Sequence, residues 1–227
     1  RQLLTEAEQS ARAANAREPL AAALQTSGFV ALSCRDIQRA KEALLESADR
    51  YHELNHSWGE GNSYFGLMHV AFATGDHAQS YQYLDEAERL QRQAGAPHGI
   101  ATALFLRAML AQLRGDDSQS LPWLRASLNL SHPLNDIASM SYRITSYAGA
   151  LLMLGHSLEA ARLFGLGDAL RERSGIQVPY PSWHKLYDRH LAILRQQLDA
   201  AVLAAAWEAG RGMSLEQAFL LVQQATG

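Results

Sequence analysis

The residue pattern with the clearest chemical meaning is His52-Glu53-Leu54-Asn55-His56. On a helix, two histidines four residues apart lie on one face and can bind zinc, while the glutamate between them acts as a general base. This interpretation makes the chain a zinc-dependent hydrolase, with Glu60 or Glu86 as a further ligand to try. The segment falls at the expected end of a helix, however, so the preferred interpretation is a pair of surface histidines near a negative helix end.

Other patterns associated with catalysis or cofactor binding are incomplete. Gly165-Leu166-Gly167-Asp168 follows an expected helix, whereas a dinucleotide-binding turn needs a preceding strand. The sequence contains no G-x-x-x-x-G-K-[ST] phosphate-binding motif and no nucleophile elbow. Cys34 is the single cysteine; we expect it to be a small buried residue in a reducing compartment. The sequence therefore predicts a protein that is not an enzyme and has no cofactor.

The composition is that of a folded protein with no broad charged surface. Apolar residues make up 48 % of the chain and charged residues 19 %. A formal net charge of −3 gives no basic footprint for contacts to phosphates. The longest apolar stretches, residues 147–155 and 200–207, are too short to cross a bilayer. We therefore expect a cytoplasmic protein that binds neither nucleic acid directly nor a membrane.

A period of 40 residues runs through most of the chain. Links between helices are predicted at Arg35-Asp36, Gly75-Asp76, Gly115-Asp116 and Gly155-His156. Each link is followed by a small residue, in turn Ala40, Ser80, Ser120 and Ala160. A large apolar residue comes next, in turn Leu44, Leu84, Leu124 and Phe164. A second small residue completes the pattern, in turn Ser47, Ala87, Ser127 and Gly167. Small residues let two helices approach, and the large one fills the space between them.

This pattern predicts an all-α fold, an α-α superhelix built as a tetratricopeptide-like solenoid of antiparallel helix pairs. Glycine past a helix end supplies the left-handed turn, and the aspartate after it caps the next helix. First helices are predicted at about 19–33, 57–74, 97–114 and 136–154, and second helices at about 36–53, 77–94, 117–130 and 157–173, from these link and cap signals.

The repeats are predicted to occupy residues 1–176, and a helical capping segment of the same domain residues 177–227. Leu4 and Ala7 fall in the columns of Leu44 and Ser47, so the chain is expected to start inside the second helix of an earlier repeat. The segment Val178-Pro179-Tyr180-Pro181 predicts an extended connector after the last repeat. Two or three helices with different packing should follow it.

In a tetratricopeptide stack the first helices line the concave side, and the link positions transfer this arrangement to the present chain. The predicted groove residues, accompanied by Gln25 and Leu32, are Phe29, Phe65, His69, Phe72, Phe105, Met109, Gln112, Tyr142 and Thr145. Aromatic rings and methionine suit a helical or extended peptide. Helix spacing alone does not separate a groove from a contact between repeats, so burial of these rings is the alternative. The groove requires Phe65, Phe105 and Tyr142 to be exposed on one surface.

The tail predicts a helix that ends at Gly210 and a capping box between Ser214 and Gln217. The segment concerned is Ala206-Trp207-Glu208-Ala209-Gly210-Arg211-Gly212-Met213-Ser214-Leu215-Glu216-Gln217-Ala218. It resembles the A-W-x-x-G-R-x-[ML]-S-[LF]-[ED]-[EQ]-A sequence that closes the helical-repeat region of large bacterial signalling ATPases, the LuxR-type regulators and related adenylate-cyclase-like proteins. The resemblance implies a regulatory arm that holds neighbouring ATPase or DNA-binding domains until a ligand or partner binds. It implies no catalytic residue in this chain.

Three functions remain open from the sequence. The main hypothesis is a non-catalytic interaction module of a transcriptional or signalling regulator, which binds a peptide, a partner protein or a neighbouring domain in its groove. The second is a sensor of a small molecule or signal peptide, with His69 and Gln112 as polar anchors of a closed pocket. The third is the zinc hydrolase that uses His52, Glu53 and His56.

Overall fold

A computed structural model describes residues 2–178 and 180–224, except for the side chains of Gln2, Leu4, Thr5, Ala7 and Gln224. Within this part of the chain the regular structure is helical, with no strand. The all-α prediction is confirmed. The helices are α1 Gln2–Ala13, α2 Arg17–Ser33, α3 Ile37–Glu53, α4 Ser57–Ala73, α5 His77–Gln93, α6 Pro97–Leu113, α7 Asp117–Ser131, α8 Ile137–Met153, α9 Ser157–Ser174, α10 Pro181–Gln197, α11 Ala200–Arg211 and α12 Leu215–Gln224, with a 3₁₀ turn at His132–Leu134 after α7.

The eight predicted repeat helices are all present, each within two residues of the predicted bounds. The tail contains three helices, α10 to α12, as the sequence predicted. The columns of Leu4 and Ala7 concern side chains outside the described residues, as does Pro179 of the connector. No helix among residues 2–178 and 180–224 combines the length and the apolar character that crossing a membrane requires.

A residue with positive φ marks a helix link every 20 positions. These residues are Asn15, Arg35, Asn55, Gly75, Gly95, Gly115, Asn135, Gly155 and Gly175. Glycine and asparagine adopt this left-handed conformation at low cost, which explains why they dominate the set. The predicted links at residues 35, 75, 115 and 155 are confirmed. The links between repeats, at 15, 55, 95, 135 and 175, carry the same Asn or Gly signal, which the sequence prediction did not use.

The links at residues 15, 35, 55, 75, 95, 115 and 155 are closed by hydrogen bonds of one type. The amide of Asp36 donates to the carbonyl of Ala31 at 2.9 Å, and the amide of Asp76 donates to that of Ala71 at 2.9 Å. The Asp36 and Asp76 side chains then accept hydrogen bonds from backbone amides of the next helix, at 3.3 and 3.0 Å. These contacts satisfy the free groups at both helix ends, so the links are determined by local sequence.

The chain divides into two compact units, residues 1–103 and residues 104–227, with the division inside α6. The predicted boundary at 176/177 lies within the second unit and stays a prediction. In unit 1, α2 packs with α3, and α4 packs with both α3 and α5. Leu44 is fully buried between the small residues Ala40 and Ser47. A Cβ added at Gly28 or Gly66 would lie 2.5 or 2.7 Å from the Leu44 side chain, so these glycines make room for it.

Unit 2 is organised around α8, whose residues 139–152 are all buried. Helices α7, α9 and α10 pack against α8. The Tyr147 hydroxyl donates to the carbonyl of Val222 at 2.9 Å, which also places α12 against α8. Helix α11 lies on α9 at a very short distance, because a Cβ added at Gly165 or Gly210 would overlap the backbone of Trp207 or Arg162. A helix surrounded in this way buries apolar residues on all sides.

Candidate interaction surface

The zinc-like pattern does not form the geometry that its chemistry requires. Helix α3 ends at Glu53, and Asn55 has a φ of 52°, so His52 and His56 do not share a helix face. His56 is the N-cap of α4, where its Nδ1 accepts a hydrogen bond from the Gly59 amide at 3.1 Å. Its ring stacks on Tyr51 at 5.1 Å between centroids. The expectation of one helix carrying both imidazoles is therefore wrong, because the left-handed link falls between them.

The surroundings of these histidines explain their role in the fold. His52 Nδ1 lies 3.2 Å from Glu60 Oε1, and that glutamate is buried. Among the described residues, no group of three or more His, Cys, Asp or Glu side chains is placed to hold a metal ion. Cys34 was expected to be buried; that expectation is wrong, since it is the exposed C-cap of α2.

The predicted groove residues do not form one exposed surface. Phe65, Phe105 and Tyr142 are 6 %, 0 % and 4 % exposed. Met109, Gln112 and Thr145 are also buried. His69 and Phe72 are half-buried, and Phe29 is exposed. The prediction that Phe65, Phe105 and Tyr142 share an accessible concave face is wrong.

Several of these residues contact the next first helix instead of solvent. Gln25 Nε2 of α2 donates to the Gly59 carbonyl and to Ser63 Oγ of α4, both at 2.9 Å. Gln112 Nε2 of α6 donates to the Ser146 carbonyl of α8 at 2.8 Å. Phe105 lies 4.9 Å from Tyr142 of α8 between ring centroids, so Gln25, Phe105 and Gln112 belong to contacts between successive repeats. Buried amides in such contacts need partners, which these carbonyls supply.

The remaining column differs from helix to helix: Phe29 of α2 is exposed and His69 of α4 half-buried, whereas Met109 of α6 and Gly149 of α8 are buried. On α2 it continues through four exposed residues at i, i+4, i+7 and i+11, which we call the α2 face: Ala22, Thr26, Phe29 and Ser33. The Thr26 and Ser33 hydroxyls donate to carbonyls of α2 itself. The face therefore presents an aromatic ring between small residues whose polar groups are already satisfied. The sequence prediction included Phe29 but missed the other three, although helical spacing connects them.

The equivalent positions on α8, which we call the α8 face, are Tyr142, Ser146, Gly149 and Met153. The first three are buried, and only Met153 is exposed. Helix α10 covers them. The Trp183 indole Nε1 donates to the Tyr142 carbonyl at 3.2 Å. Further along, a Cβ added at Gly149 would overlap the His190 ring, so this glycine makes room for α10.

Helix α10 packs through residues spaced as in a helix bound in a groove. Its buried residues, here called the α10 anchors, are Trp183, Leu186, His190 and Leu194, at i, i+3, i+7 and i+11. His190 is 1 % exposed, and burial lowers its pKa to about 4, with the charge of neighbouring Arg189 acting in the same direction. The Arg189 guanidinium donates to the Gln112 carbonyl at 3.3 Å. The central anchor is therefore a neutral histidine.

Tyr180, at the start of the covering segment, completes an aromatic cluster. Its ring centroid lies 5.4 Å from that of Phe105 and 5.6 Å from that of Tyr142. Phe105 and Tyr142 are themselves 4.9 Å apart. The two rings predicted to bind a partner segment thus contact an aromatic residue of this same chain. Edge-to-face and tilted arrangements of this kind are favourable.

The tail residues that carry the family resemblance attach α11 to α9 and cap the start of α12. Trp207 stacks on Phe164 with an angle of 3° between the rings. The Arg211 guanidinium donates to both carboxylate oxygens of Glu172, at 3.1 and 2.7 Å. The predicted capping box is confirmed, since the Ser214 amide donates to Gln217 Oε1 at 2.9 Å and the Gln217 amide to Ser214 Oγ at 3.2 Å.

A cavity of about 520 Å³ lies between α10 and α11. Its lining is mainly apolar and consists of Leu191, Leu194, Arg195, Ala200, Leu203, Ala204, Trp207 and Glu208. His69 and Gln112, the polar anchors of the sensor hypothesis, do not line it. Its volume is in the range of small-molecule sites.

No protein-family model matches this chain. Over 163 residues, 71 % of its length, the chain is 26 % identical to proteins named "Putative HTH-type transcriptional regulator" from Mycobacterium bovis and from two strains of Mycobacterium tuberculosis. The match covers 18 % of each of those proteins, so the chain spans less than a fifth of the length of these relatives.

Proposed function

We propose that this chain is a non-catalytic helical-repeat segment of a bacterial transcriptional regulator, and that its α2 face binds a helix of a partner protein or of a neighbouring domain. The mycobacterial regulators that it resembles support the regulatory role. The tail resemblance to LuxR-type signalling ATPases supports the same placement. In this proposal the protein acts in the cytoplasm, and DNA contacts belong to other parts of the regulator.

One observation carries the binding mode. In unit 2 the face equivalent to the α2 face already holds a helix, α10, through Trp183 at one end and His190 at the other. The repeats of this chain therefore have a surface that accepts a helix, and α2 presents the corresponding positions to solvent. Phe29 supplies the large aromatic contact there, and Ala22, Thr26 and Ser33 let a helix backbone approach.

The test is photo-crosslinking in the full-length regulator that contains this chain. A photoreactive phenylalanine analogue at Phe29 should form crosslinks to a helical segment of another domain or protein, which peptide mass spectrometry identifies. The same analogue at Lys41, exposed on α3, is the matched control. Equal crosslinking from the two positions would rule out the α2 face as the binding surface.

A second candidate function is the sensing of a small molecule, and the cavity between α10 and α11 favours it. An effector with an apolar body would contact Leu203 and Trp207 there. Thermal shift against effector panels should then show stabilisation of the wild-type chain that is lost in Ala204→Phe, which fills the cavity. Stabilisation that survives in Ala204→Phe would place the effector elsewhere.

A further inference from the structure

We propose that the α8 face is a second interaction surface, masked by α10, and that an amphipathic partner helix can take the place of α10. The partner would carry an aromatic residue at its first anchor and apolar residues at the positions equivalent to Leu186, His190 and Leu194. This inference rests on the binding mode proposed above, but it concerns unit 2 alone. Its failure would leave the crosslinking result at Phe29 unaffected.

The first argument is that α10 packs on the α8 face as a helix of a binding partner would. Its four anchors are nearly or completely buried, while the outward residues Lys185, Asp188 and Ala192 are exposed. Two of its polar contacts go to main-chain carbonyls, those of Tyr142 and Gln112. Main-chain acceptors do not depend on the side chains of the face, so another helix with a tryptophan at the first anchor can make the same hydrogen bond.

The second argument is that α10 is an imperfect occupant. Its central anchor, His190, is a polar ring held 1 % exposed against Gly149, and its Nε2 lies 3.3 Å from the guanidinium of neighbouring Arg189. Burying a polar ring is less favourable than burying an apolar side chain of similar size. A partner helix with leucine at this position would bind the α8 face more favourably than α10 does.

A displacing helix must also replace the contacts of α10 with α9. The Tyr187 hydroxyl donates to Asp168 Oδ1 at 2.7 Å, and the Tyr187 ring packs edge to face on Phe164.

The third argument is that α11 does not depend on α10 for its position. Helix α11 is held on α9 directly, through the close approach at Gly165 and Gly210 and the ion pair of Arg211 with Glu172. Between α10 and α11 lies the cavity of about 520 Å³, so their contact is incomplete. The two-residue link Leu198–Asp199 joins α10 to α11, and residues 175–180 join it to α9.

The test uses a fluorescein-labelled synthetic peptide of residues 180–197, which has the sequence of α10, and fluorescence anisotropy. Trp183→Ala weakens the chain's own α10 and should tighten peptide binding at least about tenfold relative to wild type, a difference detectable as about 1.4 kcal/mol. His190→Leu improves the internal occupant and should weaken peptide binding by a similar factor. Lys185→Ala, on the outward side of α10, should bind as wild type does.

Hydrogen exchange of the wild-type chain gives a second measurement, which does not depend on whether a variant folds. Amides of α10 should exchange at least about tenfold faster than those of α8 and α11, through an opening that leaves the rest of unit 2 folded. Protection of α10 equal to that of α8 and α11 would overturn the proposal. So would peptide affinity that is the same for wild type, Trp183→Ala and His190→Leu.

Discussion

Helix α2 of unit 1 and helix α8 of unit 2 occupy equivalent places in the repeat but differ in what covers them. The shared position is Phe29 on α2 and Gly149 on α8. Phe29 is exposed, whereas Gly149 lies against the His190 ring of α10. A large aromatic residue thus marks the face left open, and a glycine marks the face where a helix of the same chain approaches. The same repeat surface is therefore covered by a helix of the chain in unit 2 and open to solvent in unit 1.

Two pairs of glycines, one pair in each unit, make room for different kinds of atoms. In unit 1, Gly28 and Gly66 make room for the side chain of Leu44, which has some freedom to shift. In unit 2, Gly165 and Gly210 make room for backbone atoms of Trp207 and Arg162, which have none. We therefore expect substitution of Gly165 or Gly210 to be tolerated less well than substitution of Gly28 or Gly66.

The largest expected effect tests this difference directly. Gly210→Ala should lower the free energy of unfolding by about 2–3 kcal/mol, because the new methyl group meets the Arg162 carbonyl, even though alanine favours the helix. Gly66→Ala in unit 1 should cost about 1 kcal/mol, since the Leu44 side chain can partly yield. Denaturant unfolding measures both.

Gly212→Ala is the control for that series. Its nearest atoms would lie at 3.8 Å and its backbone is right-handed, so stability should change by less than about 0.5 kcal/mol. If Gly66→Ala proves as costly as Gly210→Ala, the distinction between side-chain and backbone contacts is not the deciding factor.

A smaller effect concerns how the free energy of unfolding depends on pH through His190 of α10. The folded-state pKa of His190 is lowered to about 4, from an ordinary value of 6.5. The unfolded chain therefore binds more protons between these values, and the stability due to neutral His190 is lost as pH falls from about 6.5 to 4. The stability difference between wild type and His190→Leu should change by about 2 kcal/mol between pH 7 and pH 5.

The comparison with His190→Leu isolates this residue, because burial lowers the pKa of His69 in unit 1 in the same direction. Chemical denaturation at several pH values provides the data. A difference that stays constant with pH would mean that His190 is accessible to protonation in the folded protein.

The smallest effect compares the shared position in the two units. Gly149→Ala should destabilise unit 2 by about 1 kcal/mol, because its methyl group displaces the His190 ring. Phe29→Ala should also cost about 1 kcal/mol, well below the cost at a fully buried phenylalanine, since Phe29 is 36 % exposed. Hydrogen exchange of α10 should accelerate in Gly149→Ala and remain unchanged in Phe29→Ala.

Local sequence was sufficient to locate the helices and their ends. Each link contains a residue that adopts positive φ and is closed by hydrogen bonds to atoms a few positions away, so its conformation depends on few distant contacts. The capping box of Ser214 and Gln217 is local in the same sense. The zinc-like pattern failed for a reason that the sequence also contains, since Asn55 lies 20 residues after the link at Arg35.

Which helix face is open was decided only by the tertiary structure. Positions 25, 29 and 32 are neighbours on one side of a helix, so helix spacing does not tell whether a side chain meets the next repeat or solvent. Phe105 and Tyr142 are buried in part by Tyr180, which lies 75 and 38 residues away in sequence. Composition and periodicity describe each helix by itself, whereas burial depends on the distant segment that packs against it.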